Sequence, residues 1–107
     1  MSEEIQNEIK SRVENNRIIL FMKGTREMPE CGFSARVVQI LNTLGVRYET
    51  VNVLKNEEIR QGIKEFSNWP TIPQLYIDGN FIGGCDICEV MFRSGELEQA
   101  VESVEKE

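Results

Sequence analysis

The sequence predicts an α/β domain in which one mixed four-stranded sheet carries helices on both faces, and three observations lead there. An unbroken apolar run, Ile18-Ile-Leu-Phe-Met22, has the length and pattern of a strand buried on both faces. A helical stripe and then the alternating stretch Arg47-Tyr-Glu-Thr-Val-Asn-Val53 follow it, the order that makes a right-handed parallel βαβ unit. Further on, Leu75-Tyr-Ile77 and Phe81-Ile82 flank Asp78-Gly79-Asn80, the turn chemistry of a β-hairpin.

Each element has its own signal. Residues 3 to 16 set Ile5, Ile9 and Val13 four apart, a helix with one narrow apolar stripe. After the buried strand, residues 32 to 44 put Val37, Val38, Leu41 and Leu44 on one side of a helix that Gly45 ends. The strand at 47 to 53 comes next. Asn56 caps a helix running to Ser67, with Ile59, Ile63 and Phe66 inward and Arg60 and Lys64 on another face. The segment Asn68-Trp-Pro-Thr-Ile-Pro73 breaks that helix at two prolines. Beyond the hairpin, Gly83-Gly84 turns the chain into a helix over 86 to 94, and Gly95 precedes a last helix over 96 to 105. No repeat or linker interrupts this order, so residues 1 to 107 read as a single domain. A βαβ half joined to a ββα half on one sheet is the thioredoxin-like arrangement.

Composition narrows the function classes. With 40% hydrophobic residues the chain has side chains enough for a packed core. A net charge of −6, from 18 acids against 12 bases, disfavours nucleic acid and anionic membrane surfaces as main partners. The acids crowd Glu3, Glu4, Glu8 and Glu14 of the first helix and Glu96, Glu98, Glu102, Glu105 and Glu107 of the last, which reads as solvated helix faces. No apolar run reaches the ~18 residues of a membrane span, and the opening MSEEIQNEIK lacks the apolar stretch of a secretory signal. The expectation is a cytoplasmic protein, or one of an organelle matrix or stroma if a transit peptide has been removed. Three cysteines cannot pair fully, which fits reduced thiols in such a compartment.

Cys31 stands where the loop after the first strand enters the crossover helix, so its sulfur faces free backbone N–H groups and the positive end of the helix dipole. Both favour the thiolate, and Lys23 and Arg26 are close enough in sequence to add to the effect. The expectation is a partly exposed, partly ionised nucleophile. A buried structural cysteine is the alternative, but the flanking Pro29-Glu30 and Gly32 describe an exposed turn. Three residues on, where a redox pair would have its second cysteine, stands Ser34. It cannot resolve a mixed disulfide, so a thiol from outside the chain must do so.

Four motifs in this order resemble the monothiol glutaredoxins of the CGFS class: Lys23, then Cys31-Gly32-Phe33-Ser34, then Trp69-Pro70-Thr71-Ile72-Pro73, then Gly83-Gly84-Cys85-Asp86. The resemblance covers about residues 3 to 104 and looks like the single-domain form. It implies the glutaredoxin version of the thioredoxin-like fold, with Cys31 as the active cysteine and as the chain's one ligand to a [2Fe-2S] cluster. The cluster would sit at a dimer interface, shared with bound glutathione. The implied glutathione-binding set is Lys23, Cys31, Phe33, Arg60, Lys64, Ile72, Gly84, Cys85 and Asp86.

Glutathione offers two carboxylates, an ammonium, an extended backbone and a thiol. Lys23, Arg60 and Lys64 suit its carboxylates; spacing alone favours Arg60 and Lys64 as a solvated helix face, and it is the resemblance that implies their role at the carboxylates. In similar folds the Ile72-Pro73 bond is cis and leaves the Ile72 backbone to pair with an extended ligand; Pro70 is the competing position. Gly84, Cys85 and Asp86 open a helix whose N–H groups can receive a carboxylate, while Asp86 can accept from an ammonium or act as an N-cap. Cys85-Asp-Ile-Cys88 is also a C-x-x-C. With no His and only three Cys it makes a poor zinc site, and it lacks the preceding apolar strand of a redox motif. Cys88 reads as core packing beside Ile87 and Met91, and a Cys31–Cys85 disulfide stays open under oxidation. Trp69 fits either the core or a partner surface beside the active loop.

Two functions follow from the resemblance. One is a carrier that delivers the cluster to apo iron–sulfur proteins in cluster assembly and iron homeostasis, as a homodimer when loaded or with a BolA-like protein that contributes a histidine. The other is a glutathione-dependent thiol–disulfide oxidoreductase that removes glutathione from protein thiols. The stretch Arg26 to Glu30, longer than in ordinary redox glutaredoxins, favours the carrier, so any enzyme activity is expected to be weak.

Overall fold

The computed structural model describes residues 2 to 105; Glu107, assigned above to the solvated face of the last helix, lies outside them. The chain runs α1 (Glu3–Asn15), β1 (Ile18–Met22), α2 (Gly32–Leu44), β2 (Glu49–Asn52), a 3-10 turn (Val53–Lys55), α3 (Glu57–Ser67), β3 (Gln74–Ile77), β4 (Asn80–Gly83), α4 (Cys85–Ser94) and α5 (Glu96–Glu105). The sheet order is β2-β1-β3-β4, with β1 and β2 parallel and the other pairs antiparallel. The expected fold is therefore the observed one.

β1 is central and all five of its residues are buried. Because side chains alternate across a strand, Ile18, Leu20 and Met22 enter one core with α2, α4 and α5, while Ile19 and Phe21 enter the other with α1 and α3. A single apolar run thus serves two cores and fixes the strand axially. Both helices on the second face are closely set. A Cβ on Gly62 of α3 would stand 2.8 Å from Ile5 Cγ2 and 2.9 Å from Ile9 Cδ1 of α1, so any larger residue would force these side chains or the helix to shift.

Caps explain several boundaries. The Ser2 hydroxyl accepts from the Ile5 N–H at 3.2 Å with Glu3 and Glu4 beside it in the first turn, and the Asn56 side chain accepts from the Ile59 N–H at 3.1 Å. Gly45 ends α2 in the left-handed conformation. β2 is shorter than the 47 to 53 expected, for reasons at both ends. Asn52 Oδ1 accepts from the Leu54 N–H at 3.0 Å and turns the chain into the 3-10 segment, while the Tyr48 carbonyl accepts from Arg26 at 2.6 Å. α4 starts at Cys85 with Gly84 as its N-cap. Asp86 therefore sits inside the first turn and is not the cap.

Candidate active-site cleft

The loop after β1 folds back on itself before it reaches the cysteine. Lys23 O accepts from the Glu30 N–H at 2.9 Å, and Thr25 and Met28 exchange backbone hydrogen bonds at 3.2 and 3.1 Å. Gly24 pairs with Pro29 and takes φ +92°, where a Cβ would lie 2.6 Å from both Met28 O and Glu30 N. Asn52 Oδ1 anchors the loop from the neighbouring strand by accepting from the Gly24 N–H at 3.0 Å. The chain emerges at Cys31, which has extended backbone geometry and is the N-cap residue of α2.

Cys31 is partly exposed. Burial pushes its thiol up, but hydrogen bonds from the backbone of Ser34 and Phe33 and from the Ser34 hydroxyl, with the charge of the Lys23 ammonium as a smaller addition, together outweigh it, so the thiol sits below its ordinary value. The helix N-terminus thus contributes more than the neighbouring cation does. Arg26, expected to help, turns away. It donates to Tyr48 O and lies 4.4 Å from the centre of the Tyr48 ring, a stacked position that an arginine prefers to open water.

Ser34 is fully buried, and its hydroxyl accepts from the Lys23 N–H at 3.1 Å. Where a second cysteine would stand, the chain has a tie between the end of β1 and the first turn of α2. Sequence reasoning registered only the absent thiol. The other two cysteines are disfavoured as thiolates. Cys85 is pushed up by burial and by Asp86 and Glu89, against which Arg36 acts weakly. Cys88 is wholly buried in the core, its thiol pushed up to about 12 by burial and then by Cys85.

A cleft of about 570 Å³ opens beside Cys31, within the size range of small-molecule sites. Lys23, Cys31 and Phe33 form one wall, Lys64 and the loop Trp69 to Pro73 a second, and Gly84, Cys85, Asp86 and Ile87 a third. Eight of the nine residues expected in the binding set therefore meet there. Arg60 does not line it. It pairs with Glu57 at 3.8 Å, one turn back along α3, and its buried Nε has no hydrogen-bond partner. The Ile72-Pro73 bond is cis. Gly84 packs closely on this loop, where a Cβ would stand 3.2 Å from Pro73 O. Phe33, Ile87 and Trp69 stand exposed around the mouth, at 65%, 41% and 38%. Among the described residues no three or more His, Cys, Asp or Glu are grouped to hold a metal ion, and no helix is long and apolar enough to cross a membrane.

A thioredoxin-like sheet that presents one activated thiol at a helix N-terminus, with serine in place of its partner, defines a single-thiol member of this fold. The glutaredoxin family model matches residues 18–82. A Synechocystis protein named as an uncharacterized monothiol glutaredoxin, ycf64-like, is 54% identical over 95% of this chain and 95% of its own length. The chloroplastic monothiol glutaredoxin-S14 of Arabidopsis thaliana is 53% identical over 95% of this chain, which spans 59% of that protein. Among solved structures, the buckwheat glutaredoxin–glutathione complex superposes with a TM-score of 0.84 at 25% identity, over 96% of each chain. The chain belongs to the glutaredoxin family, among its monothiol members.

Proposed function

We propose that the protein binds glutathione in the cleft and, so loaded, carries a [2Fe-2S] cluster between two copies of the chain for delivery to apo iron–sulfur proteins. The observation that carries this reading is the thiol inventory. One thiol is held toward its anion at the mouth of an open cleft, and no other is poised to complete a disulfide exchange or a metal site. A [2Fe-2S] cluster takes four thiolates; Cys31 from each of two chains supplies two, and one glutathione in each cleft supplies the rest. Ligands that are half small molecule dissociate readily, which suits hand-over better than storage. A BolA-like protein can replace one copy and bring the histidine this chain lacks. The buckwheat relative's complex supports glutathione as the ligand.

In this reading Lys23 and Lys64 receive one glutathione carboxylate, with Arg60 joining once it leaves Glu57. The Ile72 backbone lies along the peptide, the N–H groups at Gly84 and Cys85 receive the second carboxylate, and Asp86 accepts from the ammonium. A reducing compartment, cytoplasmic or an organelle stroma like that of the chloroplastic relative, supplies glutathione.

The lowered Cys31 thiol also supports a second, slower activity, protein deglutathionylation. The Cys31 thiolate attacks the glutathione sulfur of a mixed disulfide, and the protein thiolate leaves and takes up a proton. A second glutathione thiolate then attacks the Cys31-bound glutathione, which releases glutathione disulfide and restores Cys31.

Anaerobic reconstitution with iron, sulfide and glutathione, followed by visible spectroscopy and sizing, tests the reading on wild type and Cys31→Ser. The expected result is a coloured dimer that requires both Cys31 and glutathione. A colourless monomer that rapidly turns over glutathionylated substrate would overturn it in favour of the oxidoreductase.

A further inference from the structure

The cleft wall formed by residues 69 to 73 has no regular structure, yet a side chain behind it holds it. Gln74 opens β3 opposite Phe21 and is fully buried. Its Nε2 donates to Trp69 O and to Thr71 O, both at 3.1 Å, and its Oε1 accepts from the Tyr76 hydroxyl at 3.1 Å. The amide orientation follows from these partners, because a flipped amide would turn its oxygen against two carbonyls. Pro70 and Pro73 have no N–H to give, so a side-chain donor is what satisfies the loop's inward carbonyls. Tyr76 is itself fixed, 2% exposed with the rings of Phe21, Phe66 and Phe81 centred 5.7, 6.0 and 5.3 Å away. Burial raises its phenol to about 12, against a smaller opposing effect of Ser67, so it stays a donor.

We propose that Gln74 is the positioning residue of the cleft. Through two carbonyls it sets the Trp69 ring and the Thr71–Ile72 backbone, the edge along which an extended peptide thiol of the glutathione class lies. This rests on the cleft being the glutathione site. Gln74 does not line the cleft and has no part in ionising Cys31, whose hydrogen bonds come from Phe33 and Ser34. Its effect therefore falls on ligand affinity and leaves the thiol's reactivity alone.

Gln74→Met keeps the length and removes all three hydrogen bonds; Tyr76→Phe keeps the ring and removes one. Three measurements separate the outcomes: calorimetric titration with reduced glutathione, quenching of the single tryptophan by acrylamide, and Cys31 alkylation against pH read by mass spectrometry. Gln74→Met is expected to bind glutathione about tenfold more weakly, the scale of one or two lost hydrogen bonds, with Trp69 more quenched and the alkylation profile unchanged. Tyr76→Phe should show a smaller loss of the same kind. A folded Gln74→Met with wild-type affinity and quenching overturns the proposal, as does an equal disturbance of Cys31 alkylation, which would signal general loosening. If Gln74→Met does not fold, Tyr76→Phe decides: weaker binding at unchanged alkylation supports the proposal, and wild-type binding overturns it. A wild type that binds no glutathione would sink the reading of the cleft instead, and the Trp69 response would still support or overturn Gln74's hold on the loop.

Discussion

Replacing Ser34 by alanine removes two hydrogen bonds whose consequences separate with pH. The first is from the Lys23 N–H, 3.1 Å from a hydroxyl that is fully buried. Leaving such a donor without its partner costs about 1–2 kcal/mol in a partly buried setting, which lowers Tm by roughly 5–12 °C for a domain near this size. The second is from the Ser34 hydroxyl to the Cys31 sulfur. Cys31 is open to water, so a screened value of about 1 kcal/mol applies, roughly fivefold in the ionisation constant; alkylation at pH 7 should slow by a smaller factor, because the more basic thiolate is also the more nucleophilic. Because the folded state holds the Cys31 thiol below its unfolded value, its contribution to stability is present above the unfolded value and disappears as pH falls through the folded one. The deficit of Ser34→Ala in urea denaturation should therefore be larger at pH 9.5 than at pH 5, where only the Lys23 share remains. A variant that alkylates at the wild-type rate, with a deficit independent of pH, would show that Ser34 braces the backbone and does not act on the sulfur.

Other perturbations follow from the same geometry. The Cys88 thiol, raised from 9.0 to about 12, contributes stability that is complete below the unfolded value and lost as pH rises toward the folded one. Its share of the fall in stability between pH 8 and pH 10.5 is thus worth about 2 kcal/mol, and Cys88→Ala should remove that share from the pH dependence of the urea midpoint. Gly62→Ala gains helix propensity of about 1 kcal/mol but drives a Cβ to within 2.8 Å of Ile5, an overpacking cost of about 1–3 kcal/mol. A net loss is expected at unchanged m-value, and a stabilised variant would mean that α1 moves aside freely. Glu89 on α4 accepts a forked pair from Arg36 on α2 at 2.8 and 2.7 Å, and this hydrogen bonding holds its carboxyl below the usual range. Its contribution is present above the unfolded value and lost as pH falls through the folded one, so Glu89→Gln should lose stability at pH 7 and show a flatter acid limb.

What the sequence revealed and what it hid divide by the range of the interaction. β1 was legible because a strand buried on both faces writes its burial into consecutive residues. Cys31 was legible because a helix N-terminus acts on the residue that occupies it, and the Asn56 cap because its partner is three residues away. Arg26 misled because its carbonyl and ring partner, Tyr48, is 22 residues on, and nearness to Cys31 in sequence carries no sign of that pull. Arg60 shares a helix face with Lys64, but pairing with Glu57 leaves it off the cleft wall. Asn52 anchors Gly24 across 28 residues from a strand that reads only as alternating polarity. Gln74 was the deepest omission. A polar residue opening a strand next to proline looks exposed by composition, and only the closed fold shows it buried, with its amide N–H groups directed at the loop before it and its oxygen at the Tyr76 hydroxyl. The chemistry of this cleft is therefore written locally, in Cys31 and its helix. Its shape depends on side-chain hydrogen bonds of the buried Ser34 and Gln74 and the partly buried Asn52, whose partners the fold alone supplies. That division is why substitutions at Asn52 and Gln74 should alter what the cleft holds before they alter how its thiol reacts, whereas Ser34, which bonds to both the Lys23 backbone and the Cys31 sulfur, is the point where the two effects meet.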